Sequence, residues 1–195
     1  TAARYIRKKS TKPILIISKE SRFFFSRTAL MYVYMGHLKW EHTQPYENHF
    51  WKKNKLDLLE ETVTQIDPNK KTITLSNESI LSYDSLVLAT GSIPNKFGWP
   101  GENLKGVQGL YTKQDLENLE ELTPSIEEAV IVGGGLIGIE LAEMLHARGK
   151  QVTFLVREKS FWNNVLPKGE SALINKHIVS QGIDLRLETN LSEIL

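Results

Sequence analysis

Residues Ala129 to Ala142 read AVIVGGGLIGIELA, and this stretch decides the fold. Its four leading apolar residues are typical of a short buried strand, and apolar periodicity predicts a helix from Leu136 to Arg148. Between the two, Gly133, Gly135 and Gly138 form a G-x-G-x-x-G pattern. In dinucleotide-binding folds these glycines allow a tight turn, a close approach of the pyrophosphate and close helix–strand packing, respectively. The stretch therefore predicts a strand–loop–helix unit that binds a dinucleotide.

The residues after the helix support this interpretation. Gln151 to Val156 forms a second strand pattern at the spacing that a βαβ unit needs. Leu136 and Ile137 fill the x-x positions of the glycine pattern, where a helix N-terminus offers free N–H groups and a positive dipole end to phosphates. The alternative is a tight strand–helix turn that holds no ligand.

Composition excludes several classes of protein. The 195 residues carry a net charge of +1, so nothing argues for nucleic acid or an anionic membrane as a partner, and neither is expected. The absence of cysteine excludes disulfides, cysteine-based zinc sites and a redox-active dithiol within the chain. His37, His42 and His49 lack metal-ligand spacing, so no metal site is expected. Glu140 interrupts the longest apolar stretch, and no signal-peptide pattern is present, so a soluble cytoplasmic protein is expected.

The N-terminal residues suggest a second nucleotide-binding unit. A helix is predicted over Thr1 to Lys9 and a buried strand over Ile14 to Ser18, followed by Glu20. A helix, a break and a strand with an acid at its tip make the second half of a dinucleotide-binding βαβ unit. Its opening strand and glycine loop would precede Thr1, which predicts a fragment. An ordinary helix–strand pair with a solvated Glu20 is the alternative.

The remaining pattern alternates sheets and helices. Leu56 to Asp84 is predicted to form an antiparallel meander, with strands at Glu61 to Ile66 and Thr72 to Leu75 and turn residues between them. Ser85 to Ala89 is typical of a buried parallel strand. Further predictions are helices over Thr28 to Met35, Tyr46 to Lys53, Thr112 to Leu122 and Glu170 to Gln181, a linker over Phe97 to Gly109, and a strand over Ile183 to Leu187.

Two motifs together resemble one family. YDSLVLATGSIP (Tyr83 to Pro94), followed by IVGGGLIGIELAE (Ile131 to Glu143), resembles the FAD-dependent pyridine-nucleotide oxidoreductases, flavoproteins with two dinucleotide-binding domains. The family includes rubredoxin reductases, the flavin part of nitrite reductases, NADH oxidases, NADH dehydrogenases and glutathione reductase. The resemblance implies an α/β fold with two Rossmann-like three-layer domains. Residues 1–107 would bind FAD, with the meander inside this domain, and residues 108–195 would bind NAD(P).

The resemblance also assigns FAD contacts. It implies that Glu20 binds the adenosine ribose, that Arg27 lies near the FAD and that the backbone at Val63 meets the adenine. The matching A-T-G turn, which runs past the FAD, is Ala89, Thr90 and Gly91. The first FAD glycine loop, a later Gly-Asp contact and the C-terminal interface domain have no counterpart in this sequence. The chain alone is therefore expected to bind FAD poorly or not at all.

For the nicotinamide cofactor, the resemblance places the pyrophosphate at the loop formed by Gly133, Gly135, Leu136, Ile137 and Gly138. It implies that Glu140 lies near the nicotinamide and flavin as the catalytic residue, where it would orient the nicotinamide. A structural alternative is an acid placed near the helix N-terminus because the dipole favours it there.

The choice between NADH and NADPH depends on the end of the second strand. The position of the ribose-binding acid falls on Val156, and Arg157 follows, where glutathione-reductase-like sequences carry a phosphate-binding arginine. The planar fork of arginine suits a phosphate, which favours NADPH or dual use. Alternatively, Arg157 pairs with Glu158 or Glu143 on the surface.

The implied activity is hydride transfer from NAD(P)H to the flavin, followed by electron transfer to an acceptor. A small iron protein, a linked haem or iron–sulfur module, a quinone and oxygen all stay open as acceptors, and a homodimer is also compatible with the family. Reduction of disulfides is not expected because cysteine is absent. Two alternatives stay open: a non-catalytic dinucleotide-binding module that controls a partner interaction, and a degraded paralogue that keeps only the fold.

Overall fold

The computed structural model describes residues 1–195 and divides them into two compact units. The first unit comprises Thr1–Arg27 and Trp40–Ser92, and the second comprises Thr28–Lys39 and Ile93–Leu195. The helices are α1 (Ala2–Lys9), α2 (Leu30–Tyr34), α3 (Asn48–Lys53), α4 (Lys113–Leu122), α5 (Leu136–Ala147) and α6 (Lys168–Ser180). The strands are β1 (Leu15–Ser18), β2 (Asp57–Glu60), β3 (Val63–Asp67), β4 (Thr72–Leu75), β5 (Ile80–Ser82), β6 (Glu128–Val132), β7 (Gln151–Leu155) and β8 (Asp184–Arg186). None of the helices combines the length and the apolar character that crossing a bilayer requires.

The first unit contains two small sheets. β1 and β2 pair in parallel, from Leu15 opposite Asp57 to Ser18 opposite Glu60. β3, β4 and β5 form the predicted antiparallel meander, and β4 alternates half-buried and buried residues as its sequence indicates. β2 was not predicted, because DLLE lies next to the meander and its parallel partner is distant in sequence. The predicted strand Glu61 to Ile66 begins two residues later than expected.

The second unit contains a parallel sheet in the order β6-β7-β8, so the βαβ prediction is confirmed. α5 connects β6 to β7 and α6 connects β7 to β8. Ile131, Val152 and Phe154 are buried, whereas Val130 on the opposite face of β6 is 60% exposed. The prediction that the four apolar residues Ala129 to Val132 are all buried is therefore wrong. β6 is an edge strand, and its side chains alternate between two faces, only one of which is covered.

A second prediction fails at Ser85 to Ala89, which forms no strand. Val87 and Leu88 are 60% and 66% exposed. An apolar run of this kind becomes a buried strand only when neighbouring strands satisfy its backbone and helices cover its faces. The segment pairs with neither β1 nor β2, since these strands form a sheet of two. Its apolar composition suits a buried central strand, but no neighbouring strand pairs with it here.

The helix predictions are largely confirmed, and α4 shows the physical reason most clearly. The Thr112 hydroxyl accepts a hydrogen bond from the Asp115 backbone N–H at 3.0 Å, and the Asp115 carboxylate accepts one from the Thr112 N–H at 2.7 Å. This reciprocal capping box satisfies two N–H groups that the helix cannot pair itself. The predicted helix at Tyr46 starts at Asn48, and the one at Thr28 is split into a 3₁₀ turn (Arg27–Ala29) and α2.

A buried polar cluster anchors α2 within the second unit. The Thr123 hydroxyl donates to the Leu119 carbonyl at 2.6 Å, so Tyr34 donates its hydroxyl proton to Thr123 Oγ1, also at 2.6 Å. The Arg148 guanidinium lies 4.6 Å from the centre of the Tyr34 ring, and its Nε donates to the Tyr34 carbonyl at 2.8 Å. Glu120 pairs with Arg148 at 2.9 Å. α2, α4 and α5 are thus joined through one tyrosine.

Replacing Tyr34 with phenylalanine is expected to lower the free energy of unfolding by about 1–3 kcal/mol, because the variant leaves the Thr123 oxygen without its donor. Burial raises the pKa of Tyr34, more than the nearby Arg148 charge lowers it. The neutral hydroxyl therefore stabilises the fold fully below about pH 10, the unfolded tyrosine pKa, and this contribution is lost as pH rises further.

Denaturant unfolding of the wild type and of Tyr34→Phe at pH 8 and above pH 10 measures both effects. The difference between the two proteins should be larger at pH 8. Tyr32→Phe is the matched control on the same helix, because Tyr32 is half exposed. Equal stability losses for the two variants would contradict the role given to the Tyr34 hydroxyl.

Candidate functional site

The glycine loop between β6 and α5 is the centre of the candidate site. Gly133 has φ of +117°, a backbone conformation that side chains other than glycine rarely adopt. Its N–H donates to the Leu155 carbonyl at 3.0 Å, which ties the start of the loop to the end of β7. The first glycine of the pattern is therefore required by the turn itself.

The third glycine is required by packing. A Cβ atom at Gly138 would lie 2.1 Å from the Gly133 carbonyl oxygen and 3.1 Å from the Phe154 ring. The first of these contacts is with backbone, which cannot rotate away. Gly138 thus lets the first turn of α5 approach the loop, as the sequence predicts.

Gly134 has a role that the sequence analysis missed. A Cβ atom there would lie 2.8 Å from Val156 Cγ1, and Val156 is fully buried. Val156, at the position where an acid would bind a ribose, is instead the packing support of the loop. The signal for this pair was a glycine at the x position between Gly133 and Gly135, together with a valine at the end of the second strand pattern.

Gly135 differs from its neighbours because the protein does not require it. Its φ of −101° suits any residue, and a Cβ atom there would meet no atom within 4 Å. Alanine would therefore fit this backbone. The open space lies at the N-cap of α5, where a ligand can come closest to the backbone.

The N-terminus of α5 is free to bind an anion. No side chain caps the helix, and its first turn holds no acidic residue. Leu136 and Ile137, the predicted loop residues, are both about half exposed. The first N–H groups of a helix have no partner within the helix, and the helix dipole adds positive potential at the same place. A pyrophosphate carries negative charge and oxygens that can accept hydrogen bonds from these N–H groups.

Glu140 lies on the second turn of α5, one turn beyond the loop, and is exposed. Dipole stabilisation of an acid falls off within the first turn, so it does not account for this position. The structure places the carboxylate on the same helix that presents Gly135, and its role towards a nicotinamide stays a prediction.

Arg157 follows the end of β7 by two residues, and its side chain is 76% exposed. Its Nε donates to Glu158 Oε1 at 2.7 Å, and this hydrogen bond raises the pKa of the guanidinium. The surface pairing that the sequence left open is therefore present. Exposed ion pairs exchange partners easily, so the pairing leaves Arg157 available to a phosphate.

In the first unit, the structure brings two predicted FAD contacts together. Arg27 Nη1 donates to Glu20 Oε1 at 2.8 Å, and Nη2 donates to Oε2, which makes a bidentate pair. The Glu20 side chain is 13% exposed, and the Arg27 guanidinium also lies 5.4 Å from the Phe25 ring centre. A carboxylate has about four acceptor sites, so the pair with Arg27 does not by itself prevent Glu20 from accepting a hydrogen bond from a ribose hydroxyl.

The other predicted FAD contacts are exposed. Val63 begins β3 beside a β-bulge, and Ala89, Thr90 and Gly91 lie on irregular exposed backbone, with Gly91 at φ of +71°. The prediction that these residues bind FAD is neither strengthened nor weakened by their placement. No group of three histidine or acidic side chains that could hold a metal ion is present in the chain.

Comparison with known proteins gives one consistent result. The family model described as pyridine nucleotide-disulphide oxidoreductase matches residues 1–195. The assimilatory nitrate reductase electron transfer subunit of Bacillus subtilis (strain 168) is 28% identical over 182 residues, which are 93% of this chain and 24% of that protein. The ferredoxin–NAD(+) reductase subunit of the benzene 1,2-dioxygenase system of Pseudomonas putida is 35% identical over 130 residues, 67% of this chain and 32% of that protein.

Among solved structures, a NAD-dependent persulfide reductase from A. fulgidus matches with a TM-score of 0.90 and 27% identity. The match covers 100% of this chain and 38% of that chain. The chain thus spans between about a quarter and two fifths of the length of these three proteins.

Proposed function

The chain belongs to the pyridine nucleotide-disulphide oxidoreductase family, and from this premise we propose that it is the nucleotide-binding part of an enzyme that passes a hydride from NAD(P)H to FAD and electrons on to an acceptor. Residues 108–195 would bind NAD(P)H and residues 1–107 would contribute to FAD binding. Members of the family are NAD(P)H-dependent flavoproteins, and their cofactors are FAD and NAD(P)H. Membership of the family is established by the match over residues 1–195, whereas the activity of the whole protein is what we propose.

One observation carries the proposal: Gly135 is a glycine that the fold does not need. Gly133 and Gly138 are explained by the backbone and by packing, whereas a side chain at Gly135 would enter empty space. A tight turn without a ligand explains the first and third glycines but leaves the second unexplained. A pyrophosphate bound at the start of α5 explains all three.

The residues of the chain would divide the work as follows. The N–H groups at the start of α5 would hold the pyrophosphate, and Glu140 would orient the nicotinamide without carrying a proton. Glu20 would accept from the adenosine ribose of FAD while Arg27 holds its carboxylate in place. When bound, FAD supplies the ring that accepts a hydride and releases its electrons to the acceptor.

The comparisons favour an iron protein or a linked redox module as the acceptor over a quinone or oxygen. One similar protein is a ferredoxin–NAD(+) reductase subunit and another is an electron transfer subunit of nitrate reductase. We also propose that the whole protein forms a homodimer and that its acceptor is one of these iron-containing partners.

The prediction that disulfides are not reduced applies to a smaller part of the protein than the sequence alone suggests. The chain contains no cysteine, so no dithiol can form within it. A persulfide reductase nevertheless resembles the whole chain, and a reactive thiol can belong to a part of the protein outside these residues. The absence of cysteine therefore limits only what residues 1–195 do themselves.

The decisive experiment is anaerobic titration of the natural protein that contains this chain, with NADH and NADPH added separately while the visible spectrum is followed. Flavin bands that bleach with either cofactor support the proposal. If flavin is absent, or if neither cofactor bleaches it while both still bind, the non-catalytic binding module becomes the better description.

Replacing Arg157 with alanine tests the preference for the phosphate of NADPH. We expect the concentration of NADPH needed for half-maximal flavin reduction to rise about 10–150-fold, since a charge-assisted hydrogen bond is worth about 1.5–3 kcal/mol. The value for NADH should change less than about threefold and serves as the internal control. An equal change for both cofactors would contradict a specific contact with the phosphate.

A further inference from the structure

A cleft of about 290 Å³ in the first unit lies between α1 and the segment around α3. Its lining residues are three cations of α1 and three residues from the second segment: Arg4, Arg7, Lys8, Phe50, Asn54 and Leu56. No carboxylate lines it. The volume equals that of roughly ten water molecules, each of which takes about 30 Å³ in the liquid. The cleft therefore has the size of a small molecule.

The three cations of the cleft have no acidic partner. None of Arg4, Arg7 and Lys8 forms an ion pair in the structure, whereas other cations of the chain, among them Arg27, Arg148 and Arg186, do. The surrounding sequence adds to this charge. Residues 1–12 contain five lysines and arginines and no acid, and residues 46–57 contain three lysines and two acids. The cleft is thus the focus of an uncompensated positive field.

Neutral contacts hold the two guanidinium groups in place. Arg7 Nη1 donates to the Ser10 carbonyl and Nη2 to the Lys55 carbonyl, each at 2.8 Å, while Arg7 Nε is buried without an acceptor. Arg4 donates to the Tyr46 hydroxyl and lies 5.0 Å from the centre of that ring. Both side chains are therefore oriented before any ligand binds, which lowers the entropy lost on binding.

The cleft is separate from the proposed cofactor sites. Leu56 directly precedes β2, and Arg7 bonds to Lys55, so the cleft lies at the amino ends of the parallel strands β1 and β2. Dinucleotides bind outside the carboxyl ends of such strands, where Glu20 follows β1. A strand of four residues is about 13 Å long, which keeps the two places apart.

From these observations we propose that the cleft binds a small phosphorylated molecule through its phosphate or pyrophosphate group. Two oriented guanidinium groups and one ammonium group carry three positive charges, which a multiply charged anion balances better than a single carboxylate does. Arg7 donates two of its N–H groups to carbonyls, but a guanidinium has five, and charged N–H donors form strong hydrogen bonds to phosphate oxygens. The concave shape and small volume favour a small molecule over a membrane surface.

The test is isothermal titration of the natural protein with inorganic pyrophosphate and, separately, inorganic phosphate at constant ionic strength. Saturable binding of pyrophosphate is expected, and Lys8→Gln should weaken it roughly tenfold because one charge-assisted contact is lost. Lys9→Gln is the matched control, since Lys9 lies on the same helix but outside the cleft, and should change the affinity less than twofold. The Arg7 Nε–H resonance in a ¹H–¹⁵N spectrum should shift on binding.

Three results would overturn the proposal. They are no saturable heat with pyrophosphate, equal weakening by Lys8→Gln and Lys9→Gln, and binding of anionic phospholipid vesicles in the absence of pyrophosphate binding. The experiment does not depend on flavin reduction, so its failure leaves the proposed oxidoreductase function untouched. Conversely, a protein without that function would still bind pyrophosphate in the cleft.

Discussion

Gly138→Ala is expected to lower the free energy of unfolding by about 1–3 kcal/mol, the usual cost of forcing an extra group into a packed site. The added methyl group would lie 2.1 Å from the Gly133 carbonyl oxygen, so either α5 or the loop must move. A gain of about 0.5–1 kcal/mol from the higher helix propensity of alanine offsets only part of this loss. Because the loop itself is displaced, dinucleotide binding should fall together with stability.

Thermal and denaturant unfolding of the natural protein measure this prediction. The matched control is Gly169→Ala, which also places alanine in the first turn of a helix, but where the Cβ atom meets nothing within 4 Å. That variant should be as stable as the wild type or slightly more stable. If Gly138→Ala behaved like Gly169→Ala, the close approach of loop and helix would not be a feature of the protein in solution.

The sequence predicts the glycine loop well because each of its determinants is local. Strand, turn and helix are adjacent in the chain, and the pattern of the three glycines reports backbone conformation and helix–strand distance directly. The capping box of α4 is local in the same sense, since Thr112 and Asp115 are three residues apart.

Features that depend on distant residues were not readable. β2 pairs with β1 some forty residues earlier in the chain, and DLLE gives no sign of which neighbour it will take. Ser85 to Ala89 is the reverse case, in which a strand is predicted but does not form. Its apolar composition predicts burial, yet Val87 and Leu88 are exposed. The cleft lined by Arg4 and Phe50 combines two helices whose proximity only the fold reveals.

The candidate site residues divide into the same two groups, those set by local sequence and those set by packing. The sequence pointed to Glu20 and Arg27 separately through resemblance, but not to the bidentate contact between them. It also placed the ribose-binding position at Val156 without indicating that this side chain would be buried beneath Gly134. A motif identifies which residues face a common ligand, whereas packing decides which of them are structural supports.

Gly135→Ala is expected to weaken NAD(P)H binding about 5–150-fold while it changes the free energy of unfolding by less than about 1 kcal/mol. The backbone of Gly135 already suits alanine, and the new methyl group would contact no protein atom within 4 Å. It would instead occupy the space through which a pyrophosphate approaches the start of α5. Overcrowding of one bound group by a methyl group corresponds to about 1–3 kcal/mol, which sets the expected range.

Fluorescence or calorimetric titration with NADH and NADPH, together with an unfolding curve, separates the two effects. Gly138→Ala should lose both stability and binding, whereas Gly135→Ala should lose binding alone. This contrast is the sharpest consequence of the structure, because it assigns one glycine of the pattern to the fold and another to the ligand. Unchanged affinity in Gly135→Ala would mean that the open space at this N-cap is not where the dinucleotide binds, and the observation carrying the proposed function would be lost.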